Sequence, residues 1–275
     1  MKKMILYIIK LYNEVVIVIL CIDIGNTQIV TGVFSNSGKI LYKYRIASND
    51  KLTEDEYFVH LKTLGDFHNI AIQNIKAIVI SSVVPNITNI FLYLSKKYFD
   101  VEPLIVDSNI KLPFTFDEKM ENPNQLGADR IANVVEAMYL YPNENLVVVD
   151  FGTATTFDVI SDKKYVGGSI LPGINLSINA LFKSTSKLPR IRFDKPESIL
   201  GTNTIQHINA GIYYGTIGQI KEIIFQIQKY VENPVIIMTG GLSEMISSEI
   251  NIPHEIREDL NLKGLFRLYL MQSMK

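Results

Sequence analysis

What this chain lacks narrows it first. Its 275 residues include one cysteine, Cys21, which excludes an intrachain disulfide framework and any thiolate cluster for a metal. The four histidines, His60, His68, His207 and His254, stand at no ligand spacing and read as surface or internally satisfied residues. Neither sign of charge is in excess, with 27 Lys and Arg against 28 Asp and Glu and a net charge of -1. No basic surplus argues for nucleic acid, and no acidic tail argues for a charged partner. No uninterrupted apolar run reaches the roughly 18–20 residues of a membrane span. Residues 1–20 come nearest and begin with Lys2-Lys3, but Lys10, Asn13 and Glu14 interrupt them and no small-residue cleavage site follows. Residues 1–14 therefore read as an extension ahead of the first domain, and a cytoplasmic protein without a membrane partner is expected. The chain also has no GxxxxGK[ST] sequence, which excludes a Walker A phosphate loop.

What is present is a well-cored composition, 47% hydrophobic and 20% charged, long enough for two domains. Its organising stretch is residues 16–34. A β-branched run from Val16 to Ile22 reads as a strand buried on both faces. A second apolar run, Gln28 to Phe34, follows so closely that only a tight turn fits between them. Gly25-Asn26 supplies that turn, since both residues tolerate positive φ. Asp23 ends a strand of unusual apolarity, where a carboxylate is costly unless something positive or hydrogen-bonding meets it. A divalent cation carrying phosphate would meet it, while the turn's N–H groups and the Thr27 hydroxyl could hold phosphate oxygens. An ordinary hairpin whose Asp caps its own turn fits the same residues. Cys21, inside this strand, reads as a small core residue.

Further along, residues 39–46 read as a third strand. Thr53-Glu54-Asp55-Glu56 is a capping box opening a helix to about Gly65. Residues 77–80 form a short buried strand, Pro85 starts an apolar helix, and residues 103–106 form another strand. A polar loop over 107–124 precedes a helix over 125–141, stopped by Pro142-Asn143. There the pattern begins again. Residues 146–160 repeat the apolar strand, Asp, Gly-Thr turn and return strand, and aligning Asp23 with Asp150 superposes Gly25 on Gly152. Residues 234–246 repeat the strand-to-helix unit of residues 77–90. Residues 167–172 read as a strand followed by a helix to about Lys183. A long helical segment over 203–230 carries Gly211, Gly215 and Gly218, which suggest close helix approach or a kink. An amphipathic helix over 259–274 is expected to close the second half. The expectation is an internal duplication with a break at 141/142, giving domains over 15–141 and 142–275.

Two strand-Asp-turn-strand units related by pseudo-symmetry would turn two carboxylates and two phosphate-gripping turns toward one cleft. Such a cleft suits a nucleoside triphosphate and its cation, because phosphoryl transfer needs positioning and charge neutralisation more than covalent chemistry. Residues 122–130, NPNQLGADR, add a carboxylate and a guanidinium at a helix start. An acidic residue in a first turn is favourable anyway, so a helix-stabilising Asp beside a solvated Arg fits equally. In the functional reading Asp129 accepts the proton of an alcohol attacking the γ-phosphate, and Arg130 binds a substrate carboxylate.

The duplicated unit resembles the acetate kinase, sugar kinase, heat-shock-70 and actin superfamily. More closely, the chain resembles the type III pantothenate kinases from about Val16 to its C-terminus. The motifs that carry the resemblance are DIGNT (23–27), NPNQLGADR (122–130), DFGTATTFDV (150–159), GGSILPG (167–173), TSKLP (185–189), TGGL (239–242) and DLNLKGL (259–265). The resemblance implies an α/β protein of duplicated ribonuclease H-like, actin-like ATPase fold, with two mixed-sheet domains around a nucleotide cleft. It implies ATP-dependent phosphorylation of pantothenate, the first step of coenzyme A biosynthesis, with Mg²⁺ and a monovalent cation, K⁺ or NH₄⁺. ATP phosphates would be gripped by Asp23, Ile24, Gly25, Asn26, Thr27, Gln28, Ile29, Val30 and Thr153, with Asp23 near Mg²⁺. Pantothenate would be held by Gly127, Ala128, Asp129 and Arg130, with Asp129 as general base. Asp150 would hold the monovalent cation, and Thr185 would reach pantothenate across a homodimer interface. One departure is visible: family members usually carry a tyrosine seven residues before the Gly of GADR, where this chain has Met120, so Tyr98 or another residue would have to replace it. Two alternatives use the same scaffold, a phosphohydrolase in which water replaces the alcohol and a non-catalytic regulator. A regulator is expected to lose one of the acids, and Asp23, Asp129 and Asp150 are all present.

Overall fold

The computed structural model describes residues 18–273, so the expected extension and the first residues of the first strand lie outside it. The chain forms two packing units. Unit 1 comprises the described residues up to Lys111, Leu126–Ala132 and the chain from Asn261 on, and unit 2 comprises Leu112–Gln125 and Asn133–Leu260.

In unit 1, β1 (Val18–Ile24), β2 (Gln28–Ser35) and β3 (Ile40–Ala47) form an antiparallel meander. β4 (Ile75–Ser82) and β5 (Leu104–Ile105) add in parallel, giving the order β3-β2-β1-β4-β5. The crossover from β3 to β4 is α1 (Glu54–Phe67), opened by the expected capping box between Thr53 and Glu56. The crossover from β4 to β5 is α2 (Pro85–Phe99), with proline in its first turn. Tyr57 and Leu61 of α1 and Ile87, Phe91 and Leu94 of α2 close on Leu20, Ile22, Ile24, Ile29 and Ile80. Because side chains alternate along a strand, Ile19, Cys21 and Asp23 look to the opposite face. Cys21 is fully buried there, and burial pushes its thiol well above the ordinary range. The register Cys21↔Gly32 and Ile19↔Phe34 places Gly32 and Phe34 on that same face.

In unit 2, β7 (Leu146–Phe151), β8 (Ala154–Ser161) and β9 (Lys164–Pro172) form a second antiparallel meander. β10 (Val235–Thr239) and β11 (Glu255–Ile256) lie parallel to β7. The run β9-β8-β7-β10-β11 repeats the order and sense of β3-β2-β1-β4-β5, which shows the duplication in topology where residue identity is thin. β6 (Thr115–Phe116) adds to β9 inside the stretch that sequence reads only as a polar loop. α4 (Ile174–Ser184), α5 (Thr204–Ile227) and α6 (Ser243–Ser247) belong to one core with Val147, Val149 and Phe151, to which α5 brings Tyr213, Ile217, Ile220 and Ile224. α5 is continuous through Gly211, Gly215 and Gly218, and among the described residues nothing outside the helix's own neighbouring backbone lies within 4 Å of a Cβ built at any of them. Among the described residues those glycines therefore mark no close approach.

α3 (Ala128–Leu140) starts after a 3₁₀ turn at Pro123–Gln125 rather than at Gln125 itself. The larger correction concerns α7 (Leu260–Ser273). Expected to close the second half, it packs in unit 1, where Phe266 stacks on Phe34 at 5.0 Å. A Cβ on Gly32 would meet Leu262 at 3.0 Å. Amphipathicity states which face of a helix is buried and leaves open which sheet buries it. The packing division consequently does not follow a single break at 141/142, since residues 112–125 go to unit 2 and the last helix to unit 1. Among the described residues no helix is long and apolar enough to cross a membrane.

Candidate active site

The first turn is built by β1 and β2. Gly25 N–H donates to the Gln28 carbonyl at 3.0 Å, leaving Gly25, Asn26 and Thr27 as a three-residue loop. The residue directly after β3 braces the loop, with Ser48 N–H donating to the Thr27 carbonyl at 3.1 Å and Ser48 Oγ to the Gly25 carbonyl at 2.5 Å. Ile24 and Ile29 are buried in the unit 1 core, so only their backbone can serve a ligand at this turn. Asn26, Thr27 and Gln28 are exposed and Val30 is half-buried. Asp23 is half-buried, paired with Val30 on one side and Ser81 on the other. Its Oδ1 accepts the Ser81 hydroxyl at 2.8 Å. The Ser81-Ser82 strand end thus contributes a partner to Asp23 that sequence reading left without a role.

The second turn repeats this plan with one residue fewer. Gly152 N–H donates to the Ala154 carbonyl at 3.1 Å, and Gly152 and Thr153 alone form the loop. Gly173 N–H, directly after β9, donates to the Thr153 carbonyl at 3.1 Å, as Ser48 does after β3. Asp150 pairs with Thr156 and Thr239 as Asp23 pairs with Val30 and Ser81. Its Oδ2 accepts an N–H of Asn133 at 2.8 Å. Gly240 closes over it with φ +94, and a Cβ there would stand 2.7 Å from Asp150 Oδ1 and from the Phe151 backbone. A side chain at that position is excluded both by backbone conformation and by space.

Gly127, Ala128, Asp129 and Arg130 form the start of α3 in unit 1. Asp129 and Arg130 are half-buried, and Asp129 Oδ1 accepts the Arg130 N–H at 2.9 Å. α7 reaches the same turn: Asn261 Nδ2 donates to the Asp129 carbonyl at 3.1 Å, and a Cβ on Gly264 would stand 1.9 Å from the Ala132 carbonyl oxygen. The DLNLKGL ending therefore carries a hydrogen bond to the first turn of α3 and a close backbone contact at Ala132 in the next. Sequence reading found the motif and not this use of it.

Thr185 caps the C-terminus of α4, its hydroxyl donating to the Leu181 carbonyl at 2.8 Å. The Thr153 turn meets the other end of α4 through Gly173, so the structure does not bring Thr153 and Thr185 together within one chain. The helix between them is about 17 Å long at 1.5 Å per residue. Met120 is half-buried on the segment before α3. The hydroxyl of Tyr98 donates to Asp55 Oδ1 at 2.5 Å, and its ring stacks on Phe58 at 3.6 Å, so that tyrosine is engaged elsewhere in unit 1.

A family model described as type III pantothenate kinase matches residues 19–226, which include both turns and the start of α3. The chain belongs to the type III pantothenate kinase family. It is 50% identical to a type III pantothenate kinase of Fusobacterium nucleatum subsp. nucleatum over 256 residues, covering 93% of this chain and 100% of the relative. It is 42% identical to a type III pantothenate kinase of Bacillus cytotoxicus, covering 91% of this chain and 95% of that one. Among solved structures it resembles a putative 2-dehydro-3-deoxygalactonokinase from Sinorhizobium meliloti with a TM-score of 0.60 at 11% identity, covering 93% and 99% of the two chains. That likeness is one of fold, the duplicated α/β fold of actin-like ATPases and sugar kinases, as expected from the repeated strand-Asp-turn-strand units.

Proposed function

We propose that this chain transfers the γ-phosphoryl group of ATP to the primary hydroxyl of pantothenate, giving 4'-phosphopantothenate. The observation that carries the reading is the start of α3, where Asp129 and Arg130 stand side by side within the stretch matched by the family. Asp129 takes the hydroxyl proton as the oxygen attacks phosphorus, and Arg130, beside the first N–H groups of the helix, receives the carboxylate at the far end of the substrate. Gly127 and Ala128 complete the substrate contact. Residues 23–30 hold ATP phosphates largely through backbone, since Ile24 and Ile29 are core residues, and Thr153 adds a hydroxyl from the second turn.

The donors present fit the two cations of the reading. Mg²⁺ takes one or two protein carboxylates and completes its shell with phosphate and water. Asp23, half-buried and oriented by Ser81, suits that part. Asp150, oriented by Asn133, suits K⁺ or NH₄⁺. When bound, the cations offset the negative charge that phosphates bring together. The homodimer of the reading is supported by α4 and α5. Leu176, Phe182, Ile205, Tyr214 and Phe225 are large apolar side chains left exposed, and Gly211, Gly215 and Gly218 leave room along α5 for a second helix. Thr185, at the end of α4 remote from Thr153, is suited to serve the partner's substrate.

The test is a coupled ADP-release assay with and without pantothenate, K⁺ and Mg²⁺. ADP release that requires pantothenate supports the kinase reading. Equal release of ADP and inorganic phosphate without pantothenate would make it a phosphohydrolase.

A further inference from the structure

The second turn holds more polar atoms than the proposed reaction has used. Asn133 lies one helical turn after Asp129 in α3 and is fully buried. A buried amide in a helix interior is costly unless both its ends are satisfied. One end is: Nδ2 donates to Asp150 Oδ2 at 2.8 Å. An ionised carboxylate only accepts, so the amide presents its NH₂ to Asp150 and its oxygen is left for another partner. That oxygen, Oδ1, is buried with no hydrogen-bond partner among the described residues. It lies within about 5 Å of the carboxylate, the donor distance plus the width of an amide group.

Thr156 shows the same signature. It stands directly opposite Asp150 in the β7–β8 register, so the two side chains share one face of the sheet. Its Oγ1 is likewise buried without a partner among the described residues. That face is set apart from the one bearing Val147, Val149 and Phe157, which join the apolar core of unit 2. The half-buried Asp150 carboxylate, touched by the Asn133 amide and paired with Thr156, forms with their buried oxygens a set of hard oxygens with one negative charge. Such a set balances a monovalent cation and underbalances a divalent one. Gly240, against Asp150 Oδ1, adds no side chain that would fill the space.

We propose that Asn133 is a positioning residue for Asp150, and that Asn133 Oδ1 and Thr156 Oγ1 join the Asp150 carboxylate as oxygens of the monovalent-cation site. The proposal rests on the reading of Asp150 as the residue that holds this cation. Asn133 thereby has two tasks: its N–H fixes the rotamer of the carboxylate, and its carbonyl faces the ion.

The test uses Tl⁺, a K⁺ analogue, titrated into the full-length protein by thallium NMR, with K⁺ as competitor. Wild-type binding that is lost in Asp150→Ala secures the underlying reading, and no binding to wild type overturns that reading by itself. Given binding, Asn133→Ala is expected to weaken Tl⁺ affinity by about tenfold or more, the usual effect of removing a group that orients or supports a metal ligand. Thr156→Val, close to isosteric, is expected to weaken it severalfold. Circular dichroism checks that each variant is folded, and a purely structural amide would change melting temperature without moving Tl⁺ affinity. Wild-type affinity in either folded variant removes that residue from the set, and wild-type affinity in both overturns the proposal. If Asn133→Ala is not recovered folded, Thr156→Val decides alone.

Discussion

Replacing Gly264 by alanine sets two effects against each other. Helix propensity favours alanine over glycine by about 1 kcal/mol in a helix interior. Packing opposes it, because the new Cβ would fall 1.9 Å from the carbonyl oxygen of Ala132, whereas ordinary contact begins near 3.4 Å. The obstacle is backbone, so α7 must retreat from Ala132 of α3 by about 1.5 Å, an overpacking that costs about 1–3 kcal/mol or more. The retreat also breaks the 3.1 Å bond from Asn261 to the Asp129 carbonyl, worth about 1 kcal/mol. The net expectation is a loss of about 2 kcal/mol, read as a lower urea midpoint at unchanged m. Because Asp129 belongs to the turn being released, kcat should fall by about tenfold or more, in line with the sensitivity of catalysis to misplacement by an ångström. Gly264→Ala with a wild-type or higher midpoint, the outcome of propensity alone, would refute the reasoning.

Three further outcomes are expected. Asp150→Ala should abolish activation by K⁺ in the ADP-release assay, and a surviving K⁺ response would reject the cation role. Met120→Tyr should lower the KM for pantothenate if the tyrosine usual in the family donates a bond that this chain lacks. An unchanged KM would mean that another group already fills the position, and Tyr98, engaged with Asp55 and Phe58, is not suited to be that group. Cys21, buried in β1 with its thiol pushed up by desolvation, should resist thiol reagents in the native protein and react once in urea. Rapid native labelling would contradict its placement.

Much of the fold was legible because its signals are local. The apolar run ending at Asp23 and the Thr53–Glu56 capping box each encode their own geometry, and the repeat at Asp150 shows as a pattern. The turn at Gly25-Asn26 was legible in place but not in conformation, since neither residue takes positive φ and Thr27 joins the loop. What escaped was set by long-range packing. α7 reads as amphipathic wherever it docks, so its place against Phe34 and Gly32 was not in the sequence. β6 and β11 are two residues long, too short for periodicity to register. Asn133 looks like any polar residue within a helix until its partner is known, and Ser81 gains meaning only from its register beside Asp23. Gly211, Gly215 and Gly218 suggest a close approach or a kink, and among the described residues α5 is continuous through them with no neighbour against them. In the candidate site, the acids and the turns were readable as motifs, while the groups that orient the acids came from other strands and helices.

The central claim is that Asp129 takes the proton while other residues hold the nucleotide and cations. Asp129→Asn keeps size and most packing, and single-turnover phosphorylation of pantothenate beside ATP binding by calorimetry separates the two tasks. The account predicts a rate lower by about 10²–10⁴-fold with the ATP Kd within a few-fold of wild type. A wild-type rate in Asp129→Asn would contradict it.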